Sequence, residues 1–265
     1  MKTNKRPLII GLTALLSTCV TNLAQAELNW HSESLTYGYG QGYEVDPDTV
    51  HTITFEHASD WSWGDIYFFM DNNWYPGEQT YNDGHHSIYS ELAPRLSLGK
   101  LTGKDLSFGP VKDVLVASSF EWDKNDKNGV SDQINYLVGP GFDLNIPGFD
   151  YFQLNFYYRK PDGGAVPSGQ WQITPVWSYT IPMGSTNLII DGYIDWVVNT
   201  KGNSHSNLLF NPQVKVDLGM LMGSEANRIF TGVEYSHWTN KYGIKNSTYF
   251  DTNQDAFNLF VKMNF

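Results

Sequence analysis

Apolar and polar residues alternate along most of this chain, with the two-residue period of a strand that has one apolar and one polar face. The last strand shows it clearly, with one face formed by Phe257, Leu259, Val261, Met263 and Phe265. The period recurs from end to end and predicts twelve strands. They lie near residues 30–39, 49–59, 64–73, 86–98, 111–122, 133–144, 150–159, 170–181, 186–198, 207–218, 229–238 and 257–265.

Two architectures share this period. In a soluble sandwich the apolar faces pack inward, whereas in an outer-membrane barrel they face lipid. The high strand count, the Trp and Tyr residues that end the apolar faces, and the terminal Phe265 favour the barrel. The sequence therefore predicts an all-β fold: a transmembrane antiparallel β-barrel of about 12 strands, with the N- and C-termini in the periplasm.

The connections follow from this topology. Polar segments rich in Gly and Asn predict outer loops at 40–48, 74–85, 123–132, 160–169, 199–206 and 239–256. Periplasmic turns are expected near 60–63, 99–110, 145–149, 182–185 and 219–228. The turns at 99–110 and 219–228 are long for their side. Pro94, Pro175 and Pro212 fall inside predicted strands, where each removes a ladder donor, so bulges or distortions are expected there.

The N-terminus has the pattern of an export signal. A basic start precedes an apolar stretch from Leu8 to Leu16, and Ala24-Gln25-Ala26 offers a small-residue cleavage site. The apolar stretch is too short to cross a bilayer. A lipoprotein signal ending at Cys19 is the alternative. We expect residues 1–26 to be a signal peptide and residues 27–265 to form a single outer-membrane domain.

Composition agrees with the barrel. Aromatic residues reach 15%, with nine Trp and 16 Tyr, and no segment after the signal approaches the apolar length of a membrane-spanning helix. Removal of the signal leaves 14 basic and 28 acidic residues, a net charge of −14. This charge argues against nucleic acid as a partner. The one cysteine, Cys19, lies in the signal, so residues 27–265 contain neither a disulfide nor a cysteine metal site.

The polar faces supply candidates for a water-filled lumen. The acidic members are Glu56, Asp71, Glu91, Glu121, Asp191, Asp195 and Glu234; the basic members are Arg95, Lys215 and Lys262; the aromatic members are Tyr67, Phe69, Tyr151, Tyr157, Tyr193, Trp238 and Phe260. A twelve-stranded barrel should have a narrow lumen. Rings beside charges suit a flat, neutral solute that forms hydrogen bonds. The alternative for each single charge is that it pairs with a neighbour and stiffens the wall.

Catalytic alternatives find little support. His85-His86 is expected in a solvated outer loop, and the segment 123–129 departs from a calcium loop because Lys127 stands at a ligand position. The segments Ser236-His237-Trp238 and His57-Ala58-Ser59-Asp60 leave a barrel hydrolase open as an alternative, since triads are defined by geometry. We expect no enzyme activity, no catalytic residue, no metal and no cofactor.

One segment carries a family resemblance. Residues 101–110, Leu-Thr-Gly-Lys-Asp-Leu-Ser-Phe-Gly-Pro, together with Glu-Leu-Ala-Pro-Arg-Leu-Ser at 91–97, resemble the nucleoside-specific channel-forming family, Tsx, and its OmpK-like relatives. Trp30-His31-Ser32, the block 55–71 and the terminal Phe265 are similar to the same family. One departure is Ala93, where the family has a second acid just before its Pro-Arg pair.

The resemblance implies a monomeric, twelve-stranded outer-membrane barrel that conducts nucleosides by passive diffusion, and whose surface loops some bacteriophages use as a receptor. The expected partners are nucleosides or similar small solutes, outer-membrane lipid and lipopolysaccharide. Six lumen residues beside the best-matched segment are predicted to bind the solute: Glu56, Tyr67, Phe69, Asp71, Glu91 and Arg95. The alternative function is a plugged surface-binding or adhesion barrel.

Overall fold

The computed structural model describes residues 26–76, 84–126, 132–162 and 169–265. It contains twelve strands: β1 (Leu28–Gln41), β2 (Thr49–Trp61), β3 (Gly64–Trp74), β4 (His86–Ser97), β5 (Val111–Asn125), β6 (Gln133–Leu144), β7 (Tyr151–Asp162), β8 (Gln170–Pro182), β9 (Asn187–Val197), β10 (Asn207–Asp217), β11 (Ile229–Thr239) and β12 (Gln254–Asn264). Every predicted strand boundary lies within three residues of the observed one. The predicted signal peptide, apart from Ala26, lies outside the described residues.

The strands form one closed antiparallel barrel. Each strand pairs with its neighbours in sequence, and β1 closes the ring by pairing with β12. Because the strand number is even, both termini lie at the same end, called here the terminus end; the opposite end is the loop end. Within the described residues no helix is long and apolar enough to cross a membrane.

The apolar faces point outward. On β12, Leu259 is 62% exposed and Phe257 57%, whereas Phe260 on the opposite face is 4% exposed and Ala256 0%. This distribution is the reverse of a soluble sandwich and confirms the predicted choice. The inner face is polar, with buried Ser, Thr, Asn and Gln side chains on most strands.

The two long turns at the terminus end begin with short helices. Helix α1 (Leu98–Thr102) is capped by Ser97, whose hydroxyl accepts from the Lys100 amide at 2.9 Å. Helix α2 (Leu218–Leu221) is capped by Asp217 in the same way, at 3.0 Å from the Met220 amide. Side-chain caps satisfy amides that the first helical turn leaves without partners. The extra length of these turns is therefore ordered structure.

The strand prolines interrupt the pairing without changing its register. On both sides of Pro94, Pro175 and Pro212 the pairing with the following strand keeps the same offset, and only the pairs beside the proline are missing. The expected distortion is thus a local gap and not a bulge. All three side chains share the outward face with their apolar neighbours.

Candidate functional site

The strand register places three of the predicted site residues side by side on the lumen wall. Phe69 on β3 is paired with Glu56 on β2 and with Glu91 on β4. One step towards the loop end, Asp71 is paired with Thr54 and Tyr89, and the Thr54 hydroxyl donates to its carboxylate at 2.6 Å. The sequence prediction therefore selected neighbouring residues of one surface.

Aromatic rings form a row along this surface. The ring centroids of Tyr67 and Phe69 are 5.9 Å apart, and those of Phe69 and Tyr89 are 5.6 Å apart. The Tyr67 hydroxyl donates to the lumen carboxylate of Glu56, so its ring faces the lumen, where it is 40% exposed. We call Tyr67, Phe69 and Tyr89 the ring row. Such a row offers apolar contact area to a flat solute while staying accessible to water.

Glu56 lies beside the ring row in a set of hydrogen bonds that ties together four strands. Its carboxylate accepts from the Tyr67 hydroxyl at 2.9 Å, from Ser34 at 3.0 Å and from the Lys262 ammonium at 2.6 Å. The ion pair with Lys262 compensates the charge of this carboxylate. These contacts also fix the position of the Tyr67 ring.

Across the lumen from Glu56, Arg159 organises a second polar cluster. It donates to Glu121 at 3.0 and 2.8 Å and also contacts Gln172. Asp195 accepts from Gln172 at 2.7 Å and from Thr174 at 2.6 Å. Sequence reasoning listed Glu121 and Asp195 but missed Arg159, which the alternation of β7 places on the inner face; that signal was available.

Arg95 lies deeper in the wall than the other predicted site residues. It is 4% exposed, donates twice to Asp65, at 2.8 and 2.7 Å, and once to Asp143 at 2.9 Å. The bond to Asp143 passes over β5, where Ala117 leaves the necessary room. Neither aspartate was among the predicted lumen residues. We call Asp65, Arg95 and Asp143 the arginine clamp.

The lumen charges are sorted along the axis. The cations Arg95, Lys215 and Lys262 lie close to the terminus end of their strands, and each contacts a carboxylate. The carboxylates of Asp71, Glu121 and Asp195 lie nearer the loop end. Arg159 pairs with Glu121, whereas Asp71 and Asp195 accept hydrogen bonds from the uncharged groups of Thr54, Gln172 and Thr174. The loop-end half of the described lumen therefore carries excess negative charge.

Side chains from two loops narrow the lumen at the loop end. Lys241, 2% exposed, pairs with Asp46 at 2.9 Å and lies near the ring faces of Tyr43 and Tyr242. The Tyr242 hydroxyl donates to Asp46 at 2.7 Å, and its ring meets that of Trp238 edge to face. Desolvation of its hydroxyl inside the mouth of the barrel and the nearby Asp46 raise the pKa of Tyr242, which keeps this hydroxyl a donor. These five residues are called the loop-end vestibule.

Glycine makes room for the vestibule. A Cβ atom on Gly40 would lie 2.6 Å from the Tyr43 ring, and one on Gly38 would lie 2.6 Å from the Asn258 amide. The bare backbone of β1 therefore lets the Tyr43 ring lie against the inner wall. The alternation of polar and apolar residues carries no signal for this feature.

The hydrolase alternative meets a specific geometry. His57 contacts Glu33 through Nδ1 at 2.9 Å and Ser59 through Nε2 at 3.0 Å, in the order of a catalytic triad. However, Ser59 is 1% exposed, and its hydroxyl also accepts from the Trp61 indole at 2.9 Å. A hydroxyl so enclosed cannot approach a substrate carbonyl carbon. This relay therefore holds β1 to β2.

The other catalytic and metal candidates are not assembled in the described part of the chain. Ser236 faces the lumen, whereas His237 faces outward and contacts Asp255 at 2.7 Å. His86 begins β4 instead of lying in a loop, and its ring packs against Trp74. The described residues contain no group of three or more potential ligands arranged for a metal ion. Lys127 lies outside them.

The family model and the sequence relatives belong to one family. The family model for nucleoside-specific channel-forming protein, Tsx, matches residues 25–265. Outer membrane protein OmpK of Vibrio parahaemolyticus is 34% identical over 172 residues, 62% of this chain and 60% of the relative. The nucleoside-specific channel-forming protein Tsx of Salmonella typhimurium is 32% identical over 151 residues, 54% of this chain and 52% of the relative. Among solved structures, the KdgM porin is 12% identical, with a TM-score of 0.45, over 88% of this chain and 99% of its own.

Proposed function

Because this chain belongs to the nucleoside-specific channel-forming Tsx family, we propose that it is an outer-membrane channel through which nucleosides diffuse passively. The family match confirms the sequence resemblance, and the outward apolar faces suit a barrel embedded in lipid. The chain spans about 60% of the OmpK relative and about half of the Salmonella relative. The proposed solute class therefore rests on the residues that line the lumen.

The ring row beside two carboxylates is the observation that carries the proposal. Tyr67 and Phe69 offer ring faces or edges to a planar base, while Glu56 and Glu91 flank Phe69 on the neighbouring strands. Carboxylates accept hydrogen bonds from the amino group of a base or from sugar hydroxyls. A nucleoside combines a flat ring with such donors and carries no net charge.

The remaining predicted site residues receive distinct parts in this proposal. Asp71 extends the acceptor surface towards the loop end, next to Tyr89. Arg95 acts indirectly, because the arginine clamp holds β3, β4 and β6 in register on the terminus-end side of the ring row. No driving force other than the solute gradient is needed, and weak sites permit both entry and exit. We further propose that the terminus end faces the periplasm and that the barrel is a monomer in lipid and lipopolysaccharide.

Solute flux into liposomes tests the proposal. Purified protein is reconstituted, and the entry of a nucleoside is compared with that of an unrelated sugar of similar size. Phe69→Ala should lower nucleoside flux several-fold while sugar flux stays constant or rises, because one stacking ring contributes about 1–3 kcal/mol. Phe68→Ala is the matched control, since Phe68 is the adjacent residue on the lipid face of the same strand.

Two results would contradict the proposal. Equal flux of nucleoside and sugar in the wild-type protein would remove the selectivity. An absence of conductance steps in a planar bilayer would favour the plugged surface-binding barrel instead. A loss of nucleoside flux in Phe68→Ala as large as in Phe69→Ala would indicate a folding defect in place of a lost contact.

A further inference from the structure

The loop-end vestibule holds an aromatic ring that the ring row does not include. Tyr242 lies in the 3₁₀ helix Lys241–Gly243 of the β11–β12 loop and is 52% exposed. Its hydroxyl is nevertheless fixed on Asp46 at 2.7 Å, and its ring centroid lies 5.5 Å from that of Trp238. A tyrosine that is both anchored and half exposed presents a defined surface to solvent.

The backbone holds this ring in place. Tyr242 has φ of 57°, a conformation that residues other than glycine seldom adopt and keep where their surroundings impose it. The surroundings do so here: the Lys241 amide donates to the Thr252 carbonyl at 2.7 Å, and the His205 amide donates to the Gly243 carbonyl at 2.9 Å. The ring is therefore positioned by its own loop and by the β9–β10 loop.

Part of the Tyr242 ring is covered and part is open to solvent. The Lys241 ammonium lies 5.2 Å from the centroid of Tyr242 and 5.6 Å from that of Tyr43. Because Lys241 is only 2% exposed while Tyr242 is 52% exposed, the accessible area of the tyrosine lies away from this ammonium.

We propose that the exposed surface of the Tyr242 ring is an entry subsite, on which the planar heteroaromatic base of a nucleoside stacks before it reaches the ring row. The subsite rests on the proposed nucleoside channel and adds a second contact at the loop end. A ring stacks on bases of every kind because each has a π-face, so the subsite speeds capture and adds little discrimination between bases.

The proposal has a one-sided kinetic signature. A subsite at one mouth raises the rate at which solute from that side reaches the lumen, and it leaves the rate from the other side unchanged. Single-channel recording measures both rates when nucleoside interrupts the ion current. Tyr242→Ala should lower the association rate constant from the loop end by about tenfold, which lies in the lower part of the range for loss of one stacking ring. Tyr242→Phe should stay within about twofold, since it keeps the ring.

The chain supplies its own control and orientation marker. Tyr249 lies in the same loop and is 85% exposed, without a ring partner among the described residues. All recordings use a Tyr249→Cys background, which removes this second exposed ring. Residues 27–265 contain no other cysteine, so a bulky maleimide added to one compartment shows which end faces it.

The outcomes separate the two proposals. An unchanged loop-end rate in Tyr242→Ala, with nucleoside still interrupting the current, overturns the entry subsite and leaves the channel function intact. An equal fall of the association rate constants from both ends in Tyr242→Ala and Tyr242→Phe overturns it as well. The hydrogen bond to Asp46, and not the ring surface, would then be the feature that matters. Currents that no nucleoside interrupts in the starting protein overturn both proposals.

Discussion

Removing the arginine of the clamp should destabilise the barrel more than removing any exposed cation. Arg95→Met would leave Asp65 and Asp143 facing one another with no cation between them. Breaking a buried ion pair from one side costs about 3–5 kcal/mol. The two carboxylate side chains are 25% and 30% exposed, so water screens part of this penalty. We expect a loss of about 3 kcal/mol in the free energy of unfolding.

The geometry also predicts how the lost free energy divides between the two aspartates. Asp65 receives two parallel hydrogen bonds from Arg95 and Asp143 receives one. A double-mutant cycle with Asp65→Asn should therefore give a coupling energy of about 2 kcal/mol, and a cycle with Asp143→Asn about 1 kcal/mol. Arg95→Lys keeps the charge but loses the two-pronged geometry, so it should lie between wild type and Arg95→Met.

Urea-induced unfolding in phospholipid vesicles, followed by tryptophan fluorescence, measures these differences. Lys124→Met is the matched control, because Lys124 is exposed on the outer face of β5. A change of less than about 0.5 kcal/mol in Arg95→Met, which is the range of ordinary surface substitutions, would refute the clamp. Coupling to Asp143 that equals or exceeds coupling to Asp65 would refute the assigned geometry.

Two further predictions test the wall and its charge. Gly139→Ala should lower the free energy of unfolding by about 1–3 kcal/mol, because its Cβ would lie 1.9 Å from the Phe156 carbonyl oxygen. Gly141→Ala should cost less, because its Cβ would meet the Asn155 side-chain amide, which can move. Equal unfolding curves for the two variants would contradict this packing. Lys262→Gln removes the cation of Glu56 and should shift the reversal potential in a salt gradient towards cation selectivity, whereas Lys124→Gln should not; identical potentials would show that this pair does not face the conducting path.

The alternation of the sequence predicted the fold closely because lipid imposes it on every strand. Side chains that face hydrocarbon are apolar, whereas the side chains next to them face water and can be polar. Each strand, such as β12, therefore shows the same alternation. The strand prolines did not spoil the pattern, since Pro94, Pro175 and Pro212 all point outward among apolar side chains. Each proline costs two residue pairs with the following strand, and the register is the same on both sides of the gap.

The site was harder to predict because pairing across the lumen depends on side-chain reach and on small residues. Periodicity put Arg95 on the inner face, but only the structure shows that Ala117 lets it pass over β5 to Asp143. The vestibule left no periodic trace, since Tyr43 and Tyr242 lie in loops and the position of Tyr43 depends on the bare backbone at Gly40. The face on which a strand residue lies can be predicted from the alternation. Contacts that depend on a small residue between two side chains cannot.

The wall determines which groups remain for a solute. Arg95, Lys262 and Arg159 are each held by carboxylates, so the fixed cations strengthen the wall and offer little to a passing anion. Among the described residues, Glu91 accepts a hydrogen bond from Ser119 alone, at 2.7 Å, and Tyr67 keeps 40% of its surface in the lumen. What this leaves exposed is ring area next to acceptors. Such a surface binds weakly a solute that is flat, uncharged and rich in hydrogen-bond donors. The excess negative charge in the loop-end half of the lumen repels an anion. The proposed selectivity therefore depends on how the wall satisfies its own charges.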